Sequence, residues 1–263
     1  MKKQFNENCF TYSQMNLIYN ARIVWLRITT WTRAYIVSRY LEIGIPEDTF
    51  TRFYFENQNF GNMIQIVFGL ETSQRYSQLI NEYVVALRDL ITAQLEGDAQ
   101  AVNENVDRLY RNAEEIAAFW ASINPYFDAG EWSGLLQEYL QYTLEQANAF
   151  SRGDYSRDIE IFDHLMTISN RIGDYFAEGL NRYMTSDFQI PNNFQPPGGC
   201  FTREQMEAIF DIRMMWFRLI TWVRNYMISR YYGAGNAESV YARLKRVPIA
   251  YTDAVGEVFG EQF

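Results

Sequence analysis

Few side chains in this sequence are suited to chemistry, and their spacing argues against most of it. The single histidine among 263 residues is His164. It follows Glu160 by four positions and Asp163 by one. That misses the Glu-x-x-His spacing by which di-iron bundles set two ligands on one inward helix face. The expectation is a structural or solvated histidine. One histidine and two cysteines are too few for a thiolate or histidine zinc site. No Walker-type phosphate loop, dinucleotide-binding glycine run, H-E-x-x-H or G-x-S-x-G pattern occurs. Lysine stands only at positions 2, 3 and 245, so a serine nucleophile would lack both usual bases. No catalytic residue, cofactor or enzymatic activity is therefore expected.

Two carboxylates and two thiols remain as candidates. Glu82 and Glu138 fall at equivalent positions of an internal repeat and could meet across a bundle axis as a carboxylate metal site. The simpler expectation is that they pair with arginines such as Arg33, Arg88 or Arg224, because paired charges specify register. Cys9 and Cys200 occupy equivalent positions of a second repeat. A disulfide between them requires Cα atoms within about 7 Å. Without a secretory leader the default is two reduced thiols.

The elements that must position these residues are written twice. Residues 9–40 and 200–231 align at a constant offset of 191, with sixteen of thirty-two positions identical. Trp25/Trp216, Trp31/Trp222 and Arg33/Arg224 stay in register, and all are read as packing and assembly residues. Thr11 and Thr202, each followed three residues later by glutamine, predict capping boxes. Phe10 with Met15, and Phe201 with Met206, predict the accompanying hydrophobic staples.

The middle of the chain repeats as well. The segment from Tyr76 aligns with that from Trp132 at an offset of 56, matching Tyr83/Tyr139, Gly97/Gly153 and Asp98/Asp154. Each copy reads as helix, Gly-Asp turn, helix. Strand-like alternation is absent, so the expected fold is all-α: four αα-hairpins forming one or two four-helix bundles of ferritin- or hemerythrin-like kind. Residues 1–185 form a three-hairpin unit, with hairpins at about 11–70, 74–126 and 130–185. A Pro/Gly-rich linker follows at 186–199, and then a fourth hairpin at 200–263 that partly duplicates 9–70.

Composition sets broader limits. An apolar fraction of 48% suffices for a packed core. Arg22, Arg27, Arg33 and Arg39 interrupt the most hydrophobic stretch, so no membrane span is expected. The start MKKQFNENCF lacks a continuous apolar run and does not read as a signal peptide, which suggests a cytoplasmic or spore-associated protein. The net charge of -9 argues against nucleic acid. It divides as +2 over residues 1–70, -12 over 71–199 and +1 over 200–263. Such a layout suits docking of the ends onto the middle, within one chain or between copies.

The segment W25-L-R-I-T-T-W31-T32-R33, the stretch N112-A-E-E-I-A-A-F-W-A-S-I-N-P-Y-F127 and W132-S-G-L-L-Q-E-Y-L together resemble an uncharacterised helical-repeat family of spore-forming Firmicutes. The resemblance covers residues 10–195 and adds Asn112 to the structural positions. Some members carry the name acetylglutamate kinase, an activity that needs an α/β nucleotide fold and has no support in these residues. The family pattern places a histidine in the first helix of each hairpin. Here those positions hold Ile28, Tyr83, Tyr139 and, in the second copy, Leu219. If relatives hold metal there as hemerythrin-like bundles do, the resemblance implies that this chain has lost the capacity.

The expected function is that of a non-enzymatic structural or self-assembling helical protein, spore- or cell-surface-associated, whose chief partner is itself. The alternative is a ferritin-like bundle that binds a metal or small ligand through carboxylates.

Overall fold

The computed structural model describes residues 9–186, 199–233 and 236–259. Among the described residues eight α-helices are joined into four hairpins: α1 (Tyr12–Leu41) with α2 (Pro46–Phe68), α3 (Leu70–Glu96) with α4 (Ala99–Ile123), α5 (Ala129–Ser151) with α6 (Tyr155–Thr185), and α7 (Arg203–Tyr232) with α8 (Ala237–Phe259). Among the described residues there is no strand, only one isolated antiparallel bridge between Phe10 and Phe201. The expected linker at 186–199 lies outside the described residues except at its two ends.

Local chemistry sets the helix ends. Asp98 and Asp128 each accept a hydrogen bond at 3.0 Å from the backbone N–H three residues on, so each caps the helix that follows. Asp154 does the same for Arg157 at 3.1 Å. Gly97 and Gly153 adopt φ of 74° and 71°, the left-handed conformation that reverses the chain between paired helices. Thr11 Oγ1 accepts from Gln14 N at 3.2 Å while Gln14 Oε1 accepts from Thr11 N at 3.0 Å. Thr202 and Gln205 repeat this reciprocal cap with the same distances.

The chain divides into two compact units. Residues 20–183 form one, and the residues up to Tyr19 join those from Met184 onward in the other. The boundary therefore falls inside α1, whereas the sequence reading kept residues 1–185 together. The physical reason lies in the first residues of α1. Phe10 and Phe201 exchange backbone hydrogen bonds at 2.8 and 2.9 Å, and Tyr19 Oη donates to the Met206 carbonyl at 2.5 Å. Tyr19 also packs on Phe210, with ring centroids 5.3 Å apart.

Within residues 20–183, α1 is the central element. Trp25 meets Phe60 of α2, Thr29 bonds Tyr139 of α5, Tyr40 bonds Gln94 of α3, and Arg33 bonds Asp158 of α6. A helix surrounded in this way buries residues on nearly every face. Two glycines allow the closest approaches. A Cβ on Gly173 would lie 2.6 Å from the Arg22 backbone nitrogen, and one on Gly179 would overlap the Phe127 ring. Asn124 closes the α4–α5 turn: its Oδ1 accepts from Tyr126 N at 2.9 Å and its Nδ2 donates to the Gly179 carbonyl at 3.0 Å.

Candidate functional site

Three places in the molecule gather the residues singled out from sequence: the centre of the three-hairpin bundle, the paired cysteines and the face of α7.

The bundle centre encloses a cavity of about 30 Å³ lined by Trp25, Ile28, Asn112, Trp120 and the tyrosines Tyr76, Tyr83 and Tyr139. It thus brings together Ile28, Tyr83 and Tyr139, three of the four equivalent helix positions singled out in the sequence. Here they bring one aliphatic and two phenolic side chains. Burial pushes the acidity of Tyr76, Tyr83 and Tyr139 well away from ionisation at neutral pH. Tyr139 accepts from Thr29 Oγ1 at 3.1 Å, and Thr29 lies 2.6 Å from Ser169 Oγ. Tyr83 Oη lies close to Tyr139 and Thr143 yet makes no well-formed hydrogen bond. Trp25 Nε1, Tyr76 Oη, Asn112 Oδ1 and Trp120 Nε1 also have no protein partner, although Asn112 Nδ2 donates to the Leu79 carbonyl at 2.9 Å. A void of this size, so lined, admits one or two water-sized neutral guests. It presents no charged group, so it suits neither a cation nor acid/base chemistry.

The carboxylates do not converge. Glu82 is exposed and pairs with Arg108 at 3.4 Å, while Glu138 pairs with Arg171 at 2.7 Å. The expected partners Arg33, Arg88 and Arg224 are not theirs. The residues after them, Tyr83 and Tyr139, take the inward positions, because neighbouring helix positions point about 100° apart. Arg33 instead meets Asp158 in a fork, Nε to Oδ1 at 3.1 Å and Nη2 to Oδ2 at 2.5 Å, with Gln146 donating to the same carboxylate at 2.8 Å. Its guanidinium lies over Phe162 at 5.0 Å, so the pair is buried and held from several sides. His164 is exposed and stacks on Tyr142 at 5.2 Å. Among the described residues no three His, Cys, Asp or Glu side chains gather closely enough to hold a metal ion.

Cys9 and Cys200 are joined in a disulfide with Cα atoms 5.0 Å apart. The default of reduced thiols gives way to the conditional geometry, because the Phe10–Phe201 bridge draws the two helix starts together.

The repeated tryptophans separate by environment. Trp25 is buried, and Trp31 is half-buried beneath the Arg52 guanidinium at 5.3 Å. In the second copy the pattern inverts. Trp222 is buried with Arg243 stacked over it at 5.1 Å, while Trp216 is 63% exposed. Trp216 begins a stripe that continues through Ile220, Val223, Met227 and Tyr231, all exposed, on one side of α7. With Arg224 at its edge the stripe forms an open groove of about 860 Å³. Sequence reasoning picked out Trp216 and Arg224 but missed the aliphatic members. The signal was the spacing 216, 220, 223, 227, 231, a continuous helical face.

No family model, no curated protein and no solved structure matches the chain.

Proposed function

We propose that this protein is a non-enzymatic helical scaffold that associates with itself through its fourth hairpin. The observation that carries this reading is the apolar stripe of α7, where Ile220 and Tyr231 are 66% and 82% exposed. Soluble monomers rarely leave a contiguous patch of this kind uncovered. The three-hairpin bundle supplies the body, with its buried Arg33 and Asp158 held in a structural ion pair. The resemblance to a family of spore-forming Firmicutes adds a spore or cell-surface setting. A disulfide between Cys9 and Cys200 fits such an oxidising location. Size-exclusion chromatography with light scattering tests the reading. The expected mass exceeds 31.0 kDa and rises with concentration; a constant monomer mass at high concentration overturns it.

A small-ligand reading draws on a different observation, the unpartnered indole, phenol and amide groups around the central cavity. These would hold a neutral hydrogen-bonding guest of one or two non-hydrogen atoms rather than a metal. High-resolution crystallography is expected to place density bridging Tyr76, Tyr83 and Asn112. Stoichiometric iron, manganese or zinc in the purified protein would instead favour the carboxylate alternative.

A further inference from the structure

The duplication offers a template for what covers the α7 stripe. Trp25, Thr29, Thr32, Ile36 and Tyr40 of α1 correspond to Trp216, Ile220, Val223, Met227 and Tyr231 of α7. In α1 the first four are buried, and Thr29 meets the hydroxyls of Tyr139 and Ser169. In α7 both threonines have become aliphatic, so the exposed copy of the face is more apolar than the buried one. Exchange of α7 into the bundle of another copy would set Ile220 against Tyr139 Oη and Ser169 Oγ and deprive them of the Thr29 hydroxyl. The stripe calls for an apolar counterpart.

Its spacing is self-complementary. When two α7 helices run antiparallel about a twofold axis, Trp216 of one lies opposite Tyr231 of the other, and Ile220 lies opposite Met227. Val223 then sits at the axis. Large aromatic side chains meet at both ends and aliphatic ones between. Five side chains exposed at 63, 66, 38, 50 and 82% supply a large part of the about 800 Å² per partner that a standard interface buries. The hairpin carries a charge of only +1, so two copies do not repel strongly. The axis falls between positions 223 and 224, so both copies of Arg224, which lines the groove, lie on one flank of the pair, where the length of the side chain lets each guanidinium reach solvent. Antiparallel alignment also opposes the two helix dipoles.

We infer that the occupant of this groove is the same groove of a second copy of the chain, α7 against α7 in a twofold-symmetric antiparallel pair. The inference rests on the self-association reading above and specifies its geometry.

The test uses the full-length chain. Ile220→Asp is expected to return the mass to 31.0 kDa, with the dissociation constant raised at least about a hundredfold and helicity by circular dichroism unchanged. Ile66→Asp, at an 86% exposed position of α2, is expected to leave the dimer intact. Both native cysteines are engaged in the disulfide, so an introduced cysteine is the sole free thiol. A short bismaleimide is expected to link Val223→Cys chains to each other. It should not link Trp216→Cys chains, whose positions lie about 22 Å apart along the paired helices. A dimer that survives Ile220→Asp overturns the inference while leaving self-association standing. A dimer lost in Ile220→Asp but unlinked at position 223 overturns the antiparallel twofold pairing. A wild-type chain that stays monomeric at high concentration overturns both readings.

Discussion

Helices α1 and α7 start from nearly the same residues and end in opposite surroundings. Both begin with a Thr/Gln capping box, and both carry arginine at the positions of Arg33 and Arg224. In α1 the Trp25 face lies at the centre of the bundle, and Arg33 finds a buried carboxylate. In α7 the equivalent face is open, and the buried side is instead the one that carries Trp222 against α8. Nearly the same helix sequence can thus be buried on most of its faces or on one, so the sequence determines the helix more firmly than it determines what covers it. The cover comes from whichever hairpins stand beside it.

The comparison can be broken most forcefully at the paired arginines. Arg33→Ala leaves Asp158 buried without its counter-charge and is expected to cost about 3–5 kcal/mol in urea unfolding. Arg224→Ala, the same change in the exposed copy, is expected to stay within about 0.5 kcal/mol. The tryptophans extend the contrast: Trp25→Ala removes a core side chain and is expected to cost about 3–5 kcal/mol. Trp216→Ala should leave folding stability within about 0.5 kcal/mol while weakening association. The tie between the copies comes next. Cys200→Ser opens a cross-link spanning 191 residues and is expected to lower stability by about 2–4 kcal/mol, with little further effect when dithiothreitol is added.

Glycines sharpen the difference at smaller scale. Gly173→Ala places a methyl group against the Arg22 backbone and is expected to cost about 1–3 kcal/mol. Gly256→Ala in α8 meets nothing within 4 Å and is expected to be neutral or to stabilise by up to about 1 kcal/mol. The gentlest probe is alkaline pH. The unfolded chain ionises tyrosine near pH 10. Burial holds Tyr35 up to about 12 and raises Tyr76, Tyr83 and Tyr139 as well. The folded bundle therefore keeps protons that the unfolded chain releases. Its stability is full below about pH 10 and declines as the pH rises towards 12. Melting temperatures between pH 9 and 12, recorded beside tyrosinate absorbance, check this, with ionisation of the buried phenols expected to coincide with unfolding.

Much of the architecture was legible in the sequence because its determinants are local. Gly97 and Gly153 mark the turns through left-handed backbone, and Asp98 and Asp154 cap the helices that follow within three residues. Asn124 of the I-N-P-Y run was legible as part of a motif, but its task, bonding the Gly179 carbonyl 55 residues away, was not. The candidate site was harder to read. Glu82 and Glu138 were plausible inward residues on repeat position alone, yet a shift of one residue moves a side chain about 100° around the helix. That shift gives the interior to Tyr83 and Tyr139 and the surface to the glutamates. The open stripe of α7 was hidden for the opposite reason, since its pattern is that of a buried face.

What the sequence determined by itself is the set of helices, their caps, their pairing into hairpins and the fact of duplication, all of which follow from hydrogen bonds and periodicity within a few turns. Tertiary structure alone decided that Cys9 meets Cys200, that Arg33 meets Asp158, and that one copy of the Trp-Arg face is buried while the other is open. Burial is a property of neighbours. Around α1 they come from α2, α3, α5 and α6, and α7 packs on α8 along its other face.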